Sequence, residues 1–243
     1  MAWNIGIAVV VVLGVVGIVV SKQSNSASSA DIAPRASNSA TNTTGDNWHA
    51  AIGINVCGTW LAAAPPFRST VGIDTQLATN GTSSTAGDGL IHIAPTNPSA
   101  AGHHATLGKF LSNGGWSASD TGFDLWDNGK KSDGDICPGT SGKKGAPGRV
   151  VWAVDGKVQH GSPSDRRIQD CDVIAIGFLP KGEKLGLPPE MAGLANISDA
   201  ASPTLCASVV DRLGGTTTTA AGTDTTAATD TTIPAATTTT AAK

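Results

Sequence analysis

The 243-residue chain has no tyrosine, only two methionines, and a charged fraction of 14%, well below the usual share of about 25%. Its net charge of -3 comes from 16 basic and 19 acidic residues scattered along the chain. A nucleic-acid partner needs a clustered basic face, so none is expected. Neither phosphate-cradling glycine pattern, GxxxxGK[ST] or GxGxxG after a strand, occurs. No His-x-His or Cys-x-x-Cys pair offers the close-spaced ligands of a zinc site. Serines are too common for a Ser-His-Asp set to be picked out, and no catalytic residue is assigned. Without tyrosine, the aromatic packing rests on six tryptophans and four phenylalanines.

Serine, threonine, alanine and glycine take the place of the missing charge, and they are unevenly distributed. Ile5 to Val20 reads IGIAVVVVLGVVGIVV, without a charge. That is close to the lower limit of about 17 residues for a membrane-spanning helix. Residues 1–22 are therefore expected to form an N-terminal transmembrane anchor or signal segment, with Ser28-Ser29-Ala30 as a distant cleavage candidate. Lys22 and Arg35 follow the apolar run, which by the positive-inside rule argues for a cytoplasmic domain. The cysteine content and the tails argue for export, and they are given more weight. The expected location is a single-pass cell-membrane protein with its domain extracytoplasmic, or alternatively a secreted one. Residues 23–45 and 216–243 hold almost nothing to bury and are expected as a disordered stalk and a disordered Thr/Ala-rich tail. One globular domain is left, residues 46–195, followed by an extension over 196–215. A segment of that size buries about 70% of its unfolded surface.

Within the domain, Ile52, Ile54 and Val56 share one face and predict a half-buried strand from Ala50 to Trp60. Ala63 to Asn80, through Pro65-Pro66, reads as loop, and Leu90 to Ile93 as a short strand. Thr106 predicts a helix N-cap, with Leu107, Phe110 and Leu111 as the apolar stripe and Asn113-Gly114-Gly115 as the stop. Phe123 and Leu125 suggest a strand; Asn128 to Gly148 reads as loop. Val150, Trp152 and Val154 alternate ahead of Asp155-Gly156, the preferred pair for a type I′ hairpin. Cys171 to Leu179 is apolar on both faces and predicts a central strand, and Met191 to Leu194 one last turn. The fold class is α+β: a small mixed sheet with one packed helix. Its order ββαβββ is β-grasp-like, and it is flanked by disordered tails.

The segments DNWHAAIGINVC (Asp46 to Cys57), GDGLIHIAP (Gly87 to Pro95), ATLGKFL (Ala105 to Leu111) and IQDCDVIAIGFLP (Ile168 to Pro180) resemble an uncharacterised family of bacterial membrane-anchored proteins. The resemblance implies one extracytoplasmic domain behind an N-terminal anchor, and no activity. Family members carry histidine at the positions of Asn47, Ser84, Ala86 and Ala94, whereas this chain keeps only His49 and His92. If those histidines bind metal, the resemblance implies a site lost or weakened here.

His49 and His92 are the metal candidates, and His103-His104 are adjacent residues that cannot both face one ion from extended backbone. Cys57, Cys137, Cys171 and Cys206 permit three pairings. Cys57–Cys137 is favoured because a strand end meets the long loop, and Cys206, beyond the core, is then a partner for Cys171. Whether Cys171 is bonded stays open. Lys131 to Ile136 faintly resembles a calcium loop but lacks the twelve-residue ligand pattern. Gly214-Gly215 imitates a ubiquitin-like terminus, yet residues follow it, and fold analogy alone would carry that reading. The function these features point to is a non-catalytic binding or interaction module, with a cell-envelope protein or glycan as partner and no cofactor. The alternative is a metal-binding domain or metal-dependent enzyme using His49 and His92.

Overall fold

Two apolar strands, β1 (Trp48–Val56) and β11 (Val173–Pro180), lie side by side and parallel at the centre of the sheet, in register from Ala51↔Val173 to Val56↔Phe178. The computed structural model that shows this describes residues 32–40, 44–75, 88–127, 129–139, 144–197 and 203–214. The apolar run Ile5–Val20, the tail from Thr216 and most of the stretch Thr79–Gly89 lie outside the described residues.

The architecture is α+β, with a mixed sheet of eight strands and a separate sheet of three among the described residues. Outside the central pair, β4 (Leu90–Ile93) runs antiparallel to β1, and β9 (Ala146–Val154) antiparallel to β11. Beyond them lie β3 (Ile73–Asp74) on one side and β10 (Lys157–Val158) on the other, while β2 (Thr59–Trp60) pairs with β1 and β8 (Ile136–Cys137) with β9. The small sheet is β5 (Ser117–Ala118), β6 (Gly122–Leu125) and β7 (Gly129–Ser132).

Local chemistry explains the α-helix that lies between β4 and β5. In α1 (Leu107–Asn113) the Thr106 side chain accepts a hydrogen bond from the Lys109 N–H, and the chain leaves through Gly115 at φ +79°. The hairpin from β9 to β10 turns at Asp155 and Gly156, both at positive φ, as a type I′ turn requires. Asp155 also docks the turn on β11: its N–H donates to the Val173 carbonyl and its Oδ1 accepts from the Val173 N–H.

Three expectations give way. The first is the half-buried strand. β1 is buried along both faces from His49 to Asn55, because alternating residues feed two cores. Ile52, Ile54, Ile174, Ile176 and Phe178 pack under α1 and the small sheet. Ala51 and Val173 pack on the opposite side with Met191, Leu194, Val209 and Val210. The second is the loops. Asn128 to Gly148 contains β7, β8 and the start of β9, and Ala63 to Asn80 contains β3. These strands are too short, and too rich in Gly and Lys, to show an alternating pattern; their neighbours define them. The third is the C-terminal end. After α2 (Met191–Leu194) the chain forms α3 (Pro203–Arg212), which places Cys206, Val209 and Val210 in the second core. At the other end, part of the expected stalk is seated on the domain. The Arg167 guanidinium donates to the Ala33 carbonyl, the Gly102 N–H to the Pro34 carbonyl, and Arg35 pairs with Asp46 at 2.8 Å.

Where the chain after β11 crosses the second face, the side chains beneath it are small. Ala51 and Gly53 of β1 lie beside Ala175 and Gly177 of β11, and the return segment after β11 runs across them. A Cβ at Gly53 would overlap Pro188 and come within 2.5 Å of Glu190 Oε2; one at Gly177 would come within 2.8 Å of Leu185. Gly53→Ala is therefore expected to cost about 1–3 kcal/mol through overpacking. Urea denaturation checks this, and an unchanged midpoint would show that the segment does not press on the sheet.

Cys57–Cys137 and Cys171–Cys206 are both disulfides, closing 80 and 35 residues. In the chain-entropy model each contributes about 4 kcal/mol. Serine at both members of either bridge should lower stability by that order. Loss of Cys171–Cys206 should also speed amide exchange in α3 ahead of the sheet, whereas loss of Cys57–Cys137 should leave α3 protected. Hydrogen exchange followed by mass spectrometry distinguishes the two.

Candidate functional site

His49 and His92 face each other across neighbouring strands. They are register partners in β1 and β4, their ring centroids are 4.7 Å apart, and the planes meet edge-to-face at 84°. Strand alternation puts both on the second face, and Asp74 of β3, the partner of His92, extends the row. Both imidazoles are buried, His49 fully.

His92 Nε2 is 2.9 Å from Asp88 Oδ2, while Asp88 Oδ1 accepts from the Leu90 N–H. Burial pushes the Asp88 carboxyl upward, but the His92 contact and the backbone N–H groups outweigh it and hold the group below the ordinary carboxylate value. On the other flank, Asp170 Oδ1 accepts from the His49 N–H, and the Cys171 N–H donates to the His49 carbonyl. Asp172 accepts from Gln169 N–H and from the Arg166 guanidinium at 2.9 Å, yet burial prevails and raises its pKa. Glu190 is another raised carboxyl, again through burial, since its Oε2 is covered over Gly53 and has no hydrogen-bond partner among the described residues.

The structure thus brings His49 and His92 together, and Asp88 is the residue the sequence did not single out for them. Its only signal was the Asp-Gly turn entering β4. Among the described residues, the one group of three ligand-type side chains within 4.8 Å of each other is Asp170, Cys171 and Cys206, and both cysteines are spent in a disulfide. Ser84 and Ala86 lie outside the described residues. His103 and His104 are exposed, in a 3-10 turn. In the loop that resembles a calcium site, Asp133 Oδ1 accepts from Val150 N–H and Asp135 Oδ2 from Ser132 N–H, so these carboxylates cap backbone.

Among the described residues, a cleft of ≈ 380 Å³ runs along the small sheet from Ser117 to Ser132. Another, of ≈ 210 Å³, is lined by Asp120, by Arg149 to Trp152 of β9 and by Val158 to Gly161. Among the described residues no helix is long and apolar enough to cross a membrane. No protein-family profile, curated protein or solved structure matches the chain.

The carboxyls set opposite pH dependences. The folded pKa of Asp88 lies below its ordinary 3.8, so its stabilisation is complete above that value and is lost as pH falls through the depressed one. The folded pKa of Glu190 lies above its ordinary 4.5, so its burial costs stability as pH rises past that value, fully so above the raised one. Asp88→Asn should lower stability at pH 7 by on the order of 1 kcal/mol, discounted for the carboxylate's exposure. Glu190→Gln should raise it at pH 7 and change nothing well below pH 4.5. Urea midpoints from pH 3 to 7 check both signs, and a Glu190→Gln effect independent of pH would refute the burial argument.

Proposed function

We propose that this chain is a membrane-anchored, extracytoplasmic and non-catalytic binding module, whose partner is a cell-envelope protein or glycan. The observation that carries the reading is the pair of disulfides: all four cysteines are bonded, and such bonds persist in oxidising compartments. The apolar run Ile5–Val20 supports the tether, and the resemblance of Asp46 to Cys57 and Gly87 to Pro95 to a membrane-anchored family supports the same placement. A β-grasp-like roll goes with this reading. The first and last long strands are parallel neighbours, antiparallel strands flank them, and a helix lies between in sequence. Fold analogy adds nothing about the ligand.

A second reading, metal binding at His49 and His92, is favoured by the 4.7 Å approach of their rings. It meets the Asp88 contact already made by His92 Nε2. Elemental analysis of the purified full chain decides it: one zinc or copper per chain supports it, and a trace removes it.

For the main reading, the full chain is expressed in bacteria with an epitope at its C-terminus, and intact cells are treated with protease and then with a crosslinker. The expected result is loss of the domain to external protease, both disulfides formed, and reproducible capture of an envelope component. A domain protected in intact cells, or carrying free thiols, overturns the compartment; export without a reproducible partner overturns the binding role.

A further inference from the structure

We propose that residues 181–189, which cross the second face between β11 and α2, form a pH-sensitive cover latched by the Glu190 side chain, seated while the carboxyl is protonated and lifted from the sheet as it ionises. The device goes beyond the binding-module reading and does not depend on it. The cover is seated by packing. Leu185 lies against Gly177, Pro188 against Gly53, and Leu187 is 3.5 Å from where a Cβ on Gly156 would sit. Trp60 of β2 closes the side over Gly53. Hydrogen bonds occur only at the two ends. At the entry the Glu183 N–H donates to the Pro180 carbonyl, and at the exit the Met191 and Ala192 N–H groups donate to the Pro188 and Pro189 carbonyls. Among the described residues, 181–189 make no other. A segment held this way opens at low free energy. Gly182, at φ +93° with open space where a Cβ would lie, serves as the hinge at the entry.

Glu190 stands at the exit, in room that two glycines leave. Its methylenes occupy the place of a side chain on Gly89, and its Oε2 is 2.5 Å from where a Cβ on Gly53 would sit. That oxygen is shut off from solvent and has no hydrogen-bond partner among the described residues. A neutral carboxyl tolerates such a place, whereas a carboxylate there gives up hydration without a replacement. Burial accordingly raises its pKa, and no neighbouring charge contributes. β1 offers only His49, four residues from Gly53 along the same face, about 13 Å at the rise of a strand. β2, residues 61–67 and α2 have no titratable side chain. The turn into β4 brings Asp88, which is held by His92. Lys181, Glu183 and Lys184 of the cover are exposed, as are Asp211 and Arg212 of α3. Below pH 4.5, the ordinary value for Glu190, the group is protonated with the cover seated or lifted, and the latch is neutral. As pH rises past that value the lifted state ionises first and gains, fully so above the raised value. Lifting bares Gly53 and Gly177 beside Trp60, while α2, α3 and the Cys171–Cys206 bridge keep the second core closed.

Hydrogen exchange of the full chain, read by mass spectrometry, tests the latch. Wild type and Glu190→Gln are compared at each pH, so that the intrinsic pH dependence of exchange cancels. At pH 7 the Met191 and Ala192 amides of the exit turn are expected to exchange about tenfold faster in the wild type, and at pH 4.5 within a factor of about two of the variant. β1, β11 and α3 should exchange alike in both proteins at either pH. Leu185→Ala, which takes a side chain out of the seat, should speed the same two amides at both pH values. Equal exchange of wild type and Glu190→Gln at pH 7, or a ratio that does not change with pH, overturns the latch. So does an acceleration shared by β1, β11 and α3, because the carboxylate then destabilises the whole domain and not the cover. Exit-turn amides indifferent to Leu185→Ala overturn it as well, since they are then uncoupled from the cover.

Discussion

The parallel contact between β1 and β11 is the constraint from which the rest of the structure follows. Parallel neighbours must be joined by a long crossover, and strands at the centre of such a sheet are covered on both faces. Here the crossover contains α1 and the small sheet, and these supply the first cover. The second cover comes from the chain after β11, which turns back across Ala51, Gly53, Ala175 and Gly177. The disulfides act at opposite ends of this pair. Cys57 directly follows β1, and Cys171 lies just before β11 with its N–H bonded to the His49 carbonyl. Both residues sit at positive φ, +54° and +65°, a region that costs a non-glycine residue about 1 kcal/mol or more. The bridges and the backbone bonds around them hold the chain there.

A chain with so few charges uses them sparingly. Asp46, Asp74, Asp88, Asp133, Asp135, Asp155, Asp170 and Asp172 each accept a hydrogen bond from a backbone N–H. Most of these contacts lie where a strand starts or a turn closes, so the carboxylates serve as backbone caps in place of regular ladder bonds. The pattern explains why acidic residues that look like ligands in the sequence, such as Asp133 and Asp135, have little left to offer an ion. It also separates Asp120, whose side chain caps no backbone group among the described residues.

How much of this was legible depended on whether local chemistry or tertiary contact decides an element. The α1 helix could be read because Thr106, Leu107, Phe110, Leu111 and Gly115 each do a local job. The Asp155-Gly156 hairpin and the two-sided burial of Val173 to Leu179 were legible for the same reason. β3, β7 and β8, of two to four residues each, exist only because a neighbour pairs with them. The second face of β1 was illegible because His49, Ala51, Gly53 and Asn55 look polar or featureless, and what buries them arrives more than a hundred residues later. At the site, the histidines stood out by type. Their partner Asp88 and the covered Glu190 depend on a loop and a return segment whose path no periodicity announces.

Because both faces of the central strands are covered, a partner can reach this sheet only along its edges or over its loops. The two edges differ. On the β3 side, Asp74, His92 and His49 form a buried row whose contacts are internal, and His92 and Asp88 answer one another. On the β9 side, the backbone is capped piecemeal by a turn, a carboxylate and one bond from Gln159, while Asp120, Arg149 and His160 nearby are exposed and have no side-chain partner among the described residues. Unsatisfied charge costs little in water, and it becomes binding energy only when a ligand supplies both donors and acceptors. The first edge therefore serves stability through internal contacts, whereas the exposed charges beside the second are left to solvent.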